Sequence, residues 1–549
     1  MNGSPRSGQW RALLPSMDDY VNLRYTWRSD ITAGITVGIV ALPLALAFGV
    51  SSGVSAEAGL ITAIVAGLIA AIFGGSNVQV SGPTGAMVVI LAPIVIAHGI
   101  PAIALVSLMA GIIVLLAGIL KLGRTVSYIP WPVIEGFTLG IGVIIFMQQV
   151  PAAVGYTGPL PTNTVGAAWH AVTHAGWPGA FLPLTVVAAV IIMMLLLGRF
   201  APKVPASFVA IVVVTVAVLV LKVPVDDIGE IPRSLPAPTL PTMDPELIRA
   251  LLGPAFAVAA LAAIESLLSA RVAASMADTG PYNADRELVG QGLASIGAGF
   301  FGGMPATGAI ARTSVNVRSG GRTRASAIIH ALVLLAVVYL AATVVSVIPL
   351  AALSGVLMVT AARMVNINVA SRVLRSTRSD GVVFIITAVI TISVDLVVAV
   401  AIGIGVAAFF ILRRMSLDTG VFRETLPGEA LAGDERIALF RIEGSLFFGA
   451  AERILDQILD HRDEHQIEVV ILRLSQLQMI DATGANQLTE LVTALERRGV
   501  TVLIKGVRKE HIHVLGVLGA IRSLRHPTHL FEDLDAATAH ARGHIARQT

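Results

Sequence analysis

The chain contains apolar stretches that are longer than a soluble domain can bury and that are almost free of charge. Within residues 31–120 the only formally charged side chain is Glu57, and within residues 125–198 it is Glu135. A helix needs about 20 apolar residues to cross roughly 30 Å of hydrocarbon, so each stretch has room for several membrane spans. Charged residues make up only 13% of the 549 residues, whereas about 25% is usual in soluble domains. We therefore predict a polytopic α-helical membrane protein.

Composition and motifs also exclude several functions. The chain has no cysteine, which rules out zinc–cysteine sites and thiol catalysis. A net charge of +3 is too small to indicate a nucleic-acid partner, and the absence of a Gly-x-x-x-x-Gly-Lys-[Ser/Thr] motif argues against ATP-driven transport. No nucleophile–base pair is recognisable, so we expect neither an enzyme nor a cofactor. His98, His170 and His174 lack the spacing of metal ligands, and we predict no metal site.

Charge returns towards the end of the chain. Residues 435–549 are rich in Arg, Glu, Asp and His and lack a long apolar run, which predicts a soluble domain. The polar stretch 223–243 separates two groups of seven apolar segments, which indicates a duplicated unit. The predicted order is a cytoplasmic N-terminal segment (1–30), a first transmembrane repeat (31–222), an extracytoplasmic loop (223–249), a second transmembrane repeat (250–414), a linker (415–434) and the soluble domain (435–549).

The distribution of positive charge predicts the orientation of the fourteen apolar segments. With the N-terminus in the cytoplasm, Lys121, Arg199, Arg318 and Arg363 fall on the cytoplasmic side, whereas the outer loop 151–178 has neither Lys nor Arg. This pattern follows the positive-inside rule and predicts an integral protein of the cell (inner) membrane with both termini in the cytoplasm. The segments fall near residues 31–50, 56–74, 83–97, 101–120, 131–150, 179–198, 205–222, 250–272, 287–303, 308–317, 324–346, 349–364, 381–394 and 396–412.

Two of the fourteen segments are short and interrupted. The third opens with Val80-Ser-Gly-Pro-Thr-Gly-Ala-Met87 and the tenth with Met304-Pro-Ala-Thr-Gly-Ala-Ile-Ala-Arg-Thr313. An odd number of spans per repeat inverts the second copy, and inverted-repeat transporters build their sites where such broken helices meet at mid-membrane. Two helix N-termini aimed at one point would offer free N–H groups and partial positive charge to an anion. The alternative is that the small residues only allow close helix packing.

Two ionisable residues lie within predicted spans, where each is costly and is therefore a functional candidate. Glu265 falls near the middle of the eighth segment, and Arg312 lies one turn into the tenth. The guanidinium could neutralise a bound anion or pair with Glu265, and the carboxylate could take up a proton and couple it to transport. The alternatives are a structural salt bridge for Glu265 and an interfacial position for Arg312.

Four stretches together resemble the sulfate permease (SulP) family, also called solute carrier family 26. They are residues 30–48, the Val-Ser-Gly-Pro-Thr-Gly motif, Ile264-Glu-Ser-Leu-Leu-Ser269 and Ala309-Ile-Ala-Arg-Thr-Ser-Val-Asn316. The resemblance covers essentially the whole chain. It implies a seven-plus-seven inverted repeat, a core domain that rocks against a gate domain, and a homodimer. Substrate would lie between the third and tenth segments, facing the eighth.

The resemblance also carries over to individual positions. It implies that Glu265 binds the coupling ion. The substrate-binding positions that it implies are Thr84, Gly85, Ala86, Gly308, Ala309, Ala311 and Arg312. Sodium-coupled bicarbonate members usually show Asp with a Thr four residues on, and Gly-Ala-Thr in the tenth segment, whereas this chain has Glu265, Ser269 and Ile310. Ile310 removes a ligand oxygen, so the resemblance favours a proton over sodium and is closest to bacterial proton-coupled members that carry dicarboxylates.

The soluble domain resembles the STAS domain of sulfate transporters and anti-sigma antagonists. Strands alternating with helices predict a small α/β domain, with elements at 437–448 (half-buried strand), 451–461 (helix), 469–474 (strand), 484–498 (helix) and 500–505 (strand). In the loop Met479-Ile-Asp-Ala-Thr-Gly484, Thr483 takes the place of the hydroxyl residue that is phosphorylated in the antagonists. The alternative is that the loop caps the helix and mediates contacts.

These observations predict a secondary active anion transporter that works by alternating access and is driven by protons. The expected partners are a small inorganic or carboxylate anion, a proton, the lipid bilayer and a second copy of the chain. The alternatives are a sodium-coupled bicarbonate symporter, an anion channel or exchanger on the same fold, and a membrane-anchored signalling protein with the soluble domain as its output. Sulfate, bicarbonate and a dicarboxylate all suit two helix ends and one Arg, so the residues do not select among them.

Overall fold

The computed structural model describes residues 13–161, 163–202, 204–231, 233–276, 280, 282–394, 396–447 and 467–548. The chain divides into two compact units, Met1–Ile404 and Gly405–Thr549. The helix predicted at 451–461 lies outside the described residues.

Fourteen helices in the described chain occupy the positions of the predicted membrane segments. Numbered in chain order, segments 1 to 14 are Leu23–Ser51, Ala56–Phe73, Gly85–His98, Pro101–Ile119, Trp131–Ala153, Phe181–Phe200, Ala206–Leu221, Pro245–Met276, Ala284–Phe300, Ile310–Arg318, Arg324–Ser346, Leu350–Met364, Arg378–Ser393 and Leu396–Leu417. Nine helical stretches of the described residues are long and apolar enough to cross a membrane. Segments 3 and 10 have only 14 and 9 residues, as their interruptions predicted. Two further helices, Thr164–His174 and Ile367–Ser376, lie between segments.

The packing of the segments repeats when the two halves of the chain are exchanged. Segment 4 packs on segment 9, and segment 11, the counterpart of segment 4, packs on segment 2. Segment 1 packs on segment 11, and their counterparts, segments 8 and 4, also pack on each other. Segment 6 packs on segment 12, and their counterparts, segments 13 and 5, do the same. Each pair is thus related by a shift of seven segments, as an inverted repeat requires.

Two groups of helices emerge from this packing. Segments 1, 2, 4, 8, 9 and 11 pack mainly on one another and form the core domain. Segments 5, 6, 12 and 13 form the second group, the gate domain. The predicted fold class, a seven-plus-seven repeat with core and gate domains, is therefore confirmed.

The broken segments 3 and 10 are each preceded by a two-residue strand. Strand β1 (Ser81–Gly82) pairs antiparallel with strand β2 (Thr307–Gly308), with Ser81 opposite Gly308 and Gly82 opposite Thr307. The Ala309 N–H donates to the Val80 carbonyl at 2.9 Å and extends this pairing. Non-helical backbone inside a membrane must find its hydrogen-bond partners within the protein. The two breaks satisfy each other in this way, and they hold the starts of segments 3 and 10 side by side.

The second unit contains a sheet whose described strands run in the order β3-β4-β5-β7-β8, with β6 also paired to β4. The strands are β3 (Gly420–Glu424), β4 (Ile437–Leu446), β5 (Val469–Arg473), β6 (Leu477–Ile480), β7 (Thr501–Lys505) and β8 (Leu530–Phe531). Strand β3 is antiparallel to β4, and the other pairings are parallel. Residues 415–434, predicted as a linker, therefore contribute a strand to this sheet.

Helices cover both faces of this sheet. One face, with side chains such as Val470 and Leu472, is covered by Ala482–Arg497 and Lys509–Val517. Leu534–Gln548 buries Ile471 and Leu503 on the other face. The predicted α/β domain is confirmed. Strand β4 is buried on both faces along most of its length rather than half-buried, because the final helix packs on the face that the sequence pattern assigned to solvent.

Candidate substrate and coupling site

The close approach of the two broken segments depends on glycine in each short strand. A Cβ atom on Gly308 would lie 1.6 Å from Nε2 of Gln79, and a Cβ atom on Gly82 would lie 2.4 Å from Nη1 of Arg312. Neither position has room for a side chain unless its neighbour moves. The interruptions therefore do more than permit helix packing, because they bring polar groups of both repeats to one place.

Thr84 and Ala309 are the residues that precede the first turns of segments 3 and 10. Neither side chain caps its own helix. The first N–H groups of a helix have no acceptor within the helix, and they carry its partial positive charge. Both positive helix ends therefore lie at the β1–β2 pairing, as the interrupted sequences predicted.

Glu265 on segment 8 accepts hydrogen bonds from both broken segments. Its Oε2 atom accepts from the Thr84 hydroxyl at 2.9 Å and from the Thr307 hydroxyl at 2.8 Å. This explains why Thr84 does not cap segment 3: its hydroxyl is bonded to the carboxylate. The sequence predicted Glu265 and Thr84 but missed Thr307 as a site residue. The repeated Thr-Gly-Ala motif could have revealed it, because Thr307 occupies in the second repeat the position of Thr84 in the first.

Arg312 lies in the first turn of segment 10 and is almost completely buried, with 1% of its surface exposed. Its Nη2 atom donates to the Pro83 carbonyl at 3.1 Å and not to Glu265. Its Nη1 atom is buried and has no hydrogen-bond partner among the described residues. The guanidinium therefore lies inside the protein between the two breaks and not on its surface.

A cavity of about 890 Å³ reaches Arg312. It lies between segments 1 and 10 on one side and segments 6, 7 and 12 on the other. Its lining includes Thr36, Ser207, Ala311, Arg318, Thr360 and Arg363. A cavity between core and gate helices that ends at a buried cation is suited to a small anionic solute.

The other predicted binding residues lie behind this wall of the cavity. Gly85 and Ala86 are buried, and a Cβ atom on Gly85 would lie 2.3 Å from Cδ1 of Ile145 and 3.3 Å from Cε1 of Phe48. Thr84, Glu265, Gly308 and Ala309 do not line the cavity either. Only Ala311 and Arg312 of the predicted set face it, and the remainder form the structure that holds Arg312 in place.

A second layer of polar groups supports the breaks, and the sequence did not identify it. The Ser266 hydroxyl accepts from the Gly308 N–H at 3.0 Å, and Gln79 Nε2 donates to the Ser266 carbonyl at 3.2 Å. Ser269, considered as a sodium ligand, lies 3.3 Å from the Thr313 hydroxyl inside the protein. The two serines that follow Glu265 on segment 8 thus bond to strand β2 and to segment 10.

Thr483 lies in the first turn of Ala482–Arg497 in the second unit, and its side chain is exposed. Asp481 caps this helix by accepting from the Gly484 N–H at 2.7 Å. The loop therefore caps the helix, as one of the two sequence interpretations predicted, and it leaves the Thr483 hydroxyl accessible.

Comparisons with known proteins agree with these features. The profile of the Sulfate permease family matches residues 27–387, and that of the STAS domain matches residues 430–537. YvdB of Bacillus subtilis (strain 168), a candidate sulfate transporter, is 34% identical over 93% of this chain and 97% of its own. The bicarbonate transporter BicA of Synechocystis is 32% identical over 82% of this chain and 83% of its own.

A solved structure shows the same fold at low sequence identity. The murine Solute Carrier 26 family member A9 anion transporter, in its inward-facing state, superposes with a TM-score of 0.86. The match covers 99% of this chain and 96% of that chain at 16% identity. The profile match, the relatives and the fold together show that the chain belongs to the sulfate permease family of membrane anion transporters. Members of this family are transporters and not enzymes.

Proposed function

We propose that this protein is a secondary active transporter of a small oxyanion or carboxylate, that it works by alternating access, and that Glu265 takes up a proton together with the substrate. One observation carries the proposal: the buried Arg312 guanidinium lines the cavity and has one nitrogen without an acceptor among the described residues. A buried cation with an unmet donor is costly. A substrate carboxylate or oxyanion would supply a charge-assisted acceptor.

The helix ends beside Arg312 add to this attraction. The N-termini of segments 3 and 10 both lie at the β1–β2 pairing, and Arg312 is in the first turn of segment 10. A helix N-terminus favours an anion through its partial charge and its free N–H groups. Two such ends and one guanidinium together suit a singly or doubly charged solute.

Glu265 couples a proton to this site through charge. When ionised, the carboxylate partly compensates the Arg312 charge and repels an incoming anion. When Glu265 is protonated, the charge of Arg312 is left for the substrate, so proton and anion favour each other's binding. The Thr84 and Thr307 hydroxyls transmit the change, because they bond to Glu265 and belong to the two breaks.

The substrates named for the relatives support small oxyanions as the first candidates for this protein. YvdB is a candidate sulfate transporter and BicA is a bicarbonate transporter, and we propose sulfate or bicarbonate as the first substrates to test. A dicarboxylate is the third, because it presents the same carboxylate chemistry to Arg312. A proton is favoured over sodium, since Thr84, Thr307 and Ser269 already bond to protein groups.

Alternating access is supported by the one-sided position of the cavity. Arg318 and Arg363, which line it, lie in the last turns of segments 10 and 12, and the positive-inside rule assigns these ends to the cytoplasm. Near the start of segment 3, Phe48 and Ile145 pack against Gly85. We propose that the described conformation is open to the cytoplasm and that the outward-open state separates these contacts.

Two further parts of the proposal concern assembly and regulation. The protein is expected to work as a homodimer with both termini in the cytoplasm, which chemical cross-linking in native membranes would test.

Thr483 is the proposed regulatory position, because phosphate on its exposed hydroxyl would add nearly two negative charges at a helix N-terminus. A change in transport for Thr483→Asp but not for Thr483→Val would support this role, and equal behaviour of the two variants would contradict it.

The proposed function is tested by uptake into proteoliposomes of purified protein. Labelled sulfate, bicarbonate and succinate are each offered with an inward proton gradient and then with a sodium gradient. Glu265→Gln is expected to lose accumulation driven by protons but to keep exchange of substrate across the membrane. Glu246→Gln, on the exposed start of the same helix, is the matched control and should behave as wild type.

The outcome for Arg312 separates a binding role from a structural one. Arg312→Gln is expected to lose uptake of every anion, whereas Arg249→Gln, which removes an exposed positive charge near the start of segment 8 and outside the cavity lining, should keep it. Uptake that follows sodium, or proton-driven accumulation by Glu265→Gln, would overturn the coupling role. Uptake by Arg312→Gln at the wild-type rate would overturn the proposed anion site.

A further inference from the structure

Three histidines of the second unit lie together beside the last helix. His529 ends the short turn Pro527–His529, directly before β8. His540 and His544 are four residues apart on Leu534–Gln548, so they share one face of the helix. One ring nitrogen from each of the three histidines lies within 4.8 Å of the others. The ring centroid of His529 is 5.3 Å from that of His540 and 5.8 Å from that of His544.

Two ring nitrogens of this cluster are buried without hydrogen-bond partners among the described residues. His529 is 3% exposed, and its Nδ1 atom is buried without a hydrogen-bond partner among the described residues. The Nε2 atom of His540 is also buried and also has no partner there. Buried polar atoms are normally hydrogen-bonded, so two unpartnered nitrogens among three adjacent imidazoles make this cluster a candidate ligand-binding site.

We propose that His529, His540 and His544 form a binding site for a divalent d-block cation, with Zn²⁺ as the first candidate. Zn²⁺–N bonds of 2.0–2.1 Å in a tetrahedron place the ligand nitrogens about 3.3 Å apart. The observed spread of up to 4.8 Å closes to this value by small rotations of the side chains. Three protein ligands leave a fourth position for water or for His526, whose ring lies 6.1 Å from that of His529.

The surrounding charges select among metals. The set contains no carboxylate, which excludes the oxygen-seeking ions Mg²⁺ and Ca²⁺. Arg525 and Arg547 lie near enough to His529 and His540, respectively, to act on them electrostatically, so their positive charges repel a cation in the cluster. Only ions that bind imidazole strongly overcome this repulsion, and these are Zn²⁺, Cu²⁺, Ni²⁺ and Co²⁺ rather than Mn²⁺.

Metal binding would fasten the last helix to the edge of the sheet. Ala537, Ala541 and Ile545 of this helix pack against Ile471 and Leu503, whereas His529 belongs to the turn before β8. A bound ion would add a cross-link between helix and turn that the apolar contacts do not provide. Because the ion binds the folded state, it would also raise the stability of this unit.

The test is zinc binding to the full-length protein, purified in detergent without a polyhistidine tag. Zinc retained after dialysis is measured by mass spectrometry, and the affinity by competition with a chromophoric chelator. Wild type is expected to retain one zinc per chain. Loss of second-shell groups alone costs about 10–100-fold in metal affinity, so His540→Gln and His544→Gln should each lose at least about 100-fold.

A second histidine pair provides the matched control. His170 and His174 are also four residues apart on an exposed helix, and their rings are stacked at 4.0 Å. The double variant His170→Gln/His174→Gln should keep the tightly bound zinc. Loss of zinc in this control, unchanged affinity in His540→Gln, or no retained zinc in wild type would each overturn the proposal.

Cobalt keeps the test decisive if the histidine variants fail to fold. Co²⁺ bound to wild type should show the intense visible absorption of a four- or five-coordinate ion with nitrogen ligands. The weak spectrum of an octahedral, hydrated ion would overturn the site. Zinc should also raise the unfolding temperature of the second unit in wild type and leave it unchanged in His544→Gln. Hydrogen exchange of the peptides from Leu534–Gln548 measures this unfolding.

Discussion

Thr84, directly before segment 3, donates a hydrogen bond of 2.9 Å to Glu265 on segment 8, and this bond joins the broken helix of the first repeat to the acidic residue of the second. Thr307 makes the equivalent bond of 2.8 Å from the break before segment 10. The same oxygen, Oε2, accepts both. Any change in the charge of this carboxylate therefore acts on both breaks at once.

The first prediction is that the two threonines contribute equally and non-additively to transport. A hydrogen bond to a charged group is worth about 1.5–3 kcal/mol, so Thr84→Val and Thr307→Val should each slow proton-driven uptake by about tenfold or more. Because both bonds end on one oxygen, the double variant should lose much less than the product of the two effects. Initial rates in proteoliposomes measure this cycle.

Thr84→Ser and Thr307→Ser are the controls for this cycle, because they keep the hydroxyl and should retain uptake. Additive losses in the double variant would show that the two hydroxyls act independently, and this would contradict a shared role through Glu265.

The second prediction concerns the room that Gly82 leaves for Arg312. A methyl group at this position would lie 2.4 Å from Arg312 Nη1, and overpacking of this kind costs about 1–3 kcal/mol. Gly82→Ala should therefore displace the guanidinium and weaken the apparent affinity for the anion by about tenfold. Concentration-dependent uptake measures the affinity, and thermal unfolding in detergent shows whether the protein remains folded.

Gly253→Ala is the matched control for Gly82→Ala. Gly253 lies on segment 8, and a Cβ atom there would meet nothing within 4 Å. Its affinity for the anion should equal that of wild type. An unchanged affinity in Gly82→Ala would mean that Arg312 does not act from its observed position.

Much of the membrane fold was predictable because lipid imposes simple rules on sequence. Charge-free runs identified the spans, and the interruptions before segments 3 and 10 identified the breaks. Glu265 and Arg312 were recognisable because ionisable residues are rare inside a membrane. What the pattern could not give was the antiparallel pairing of Ser81–Gly82 with Thr307–Gly308, since hydrogen bonds between such distant residues leave no periodic signal.

The remaining differences also have physical reasons. Only Ala311 and Arg312 of the predicted binding set reach the cavity. The start of segment 3 does not, because a neighbouring helix, segment 5, covers it with Ile145. Such coverage depends on tertiary packing and leaves no mark in the local sequence. The histidine cluster escaped the sequence because one ligand, His529, comes from a turn outside the final helix. The spacing of His540 and His544 was readable as one helical face, but their meeting with His529 depends on the sheet.

The third prediction is a pH dependence in the second unit. Arg542 binds Asp434 through two nitrogens at 2.8 and 2.9 Å and so holds the pKa of that carboxyl below its ordinary value of 3.8. A lowered pKa in the folded state means stabilisation that is present at neutral pH and is lost as the pH falls through that pKa. Arg542→Ala should therefore speed hydrogen exchange in Leu534–Gln548 at pH 7. The difference from wild type should shrink as the pH falls below the ordinary pKa of 3.8 and vanish below the lowered pKa of Asp434 in the folded state.

Arg547→Ala is the control for this pH dependence. Arg547 lies on the same helix, but its Nε donates to the Gly543 carbonyl of that helix at 3.0 Å. Its variant should show no loss of protection that depends on the ionisation of Asp434. A difference between Arg542→Ala and wild type that persists unchanged in acid would contradict the assignment.

The last prediction uses the absence of cysteine from the chain, since any introduced thiol is then the only one present. Ala311 and Thr360 line the cavity, whereas Thr185 lies near the start of segment 6 on an exposed surface. If the cavity opens to the cytoplasm, a membrane-impermeant thiol reagent should label Ala311→Cys and Thr360→Cys from the cytoplasmic side and Thr185→Cys from the outside. Substrate should slow the labelling of Ala311→Cys much more than that of Thr360→Cys, because Ala311 is next to Arg312. An inward-open cavity is excluded if Thr360→Cys is labelled only from the outside, and equal protection of both cysteines would place the bound anion away from Arg312.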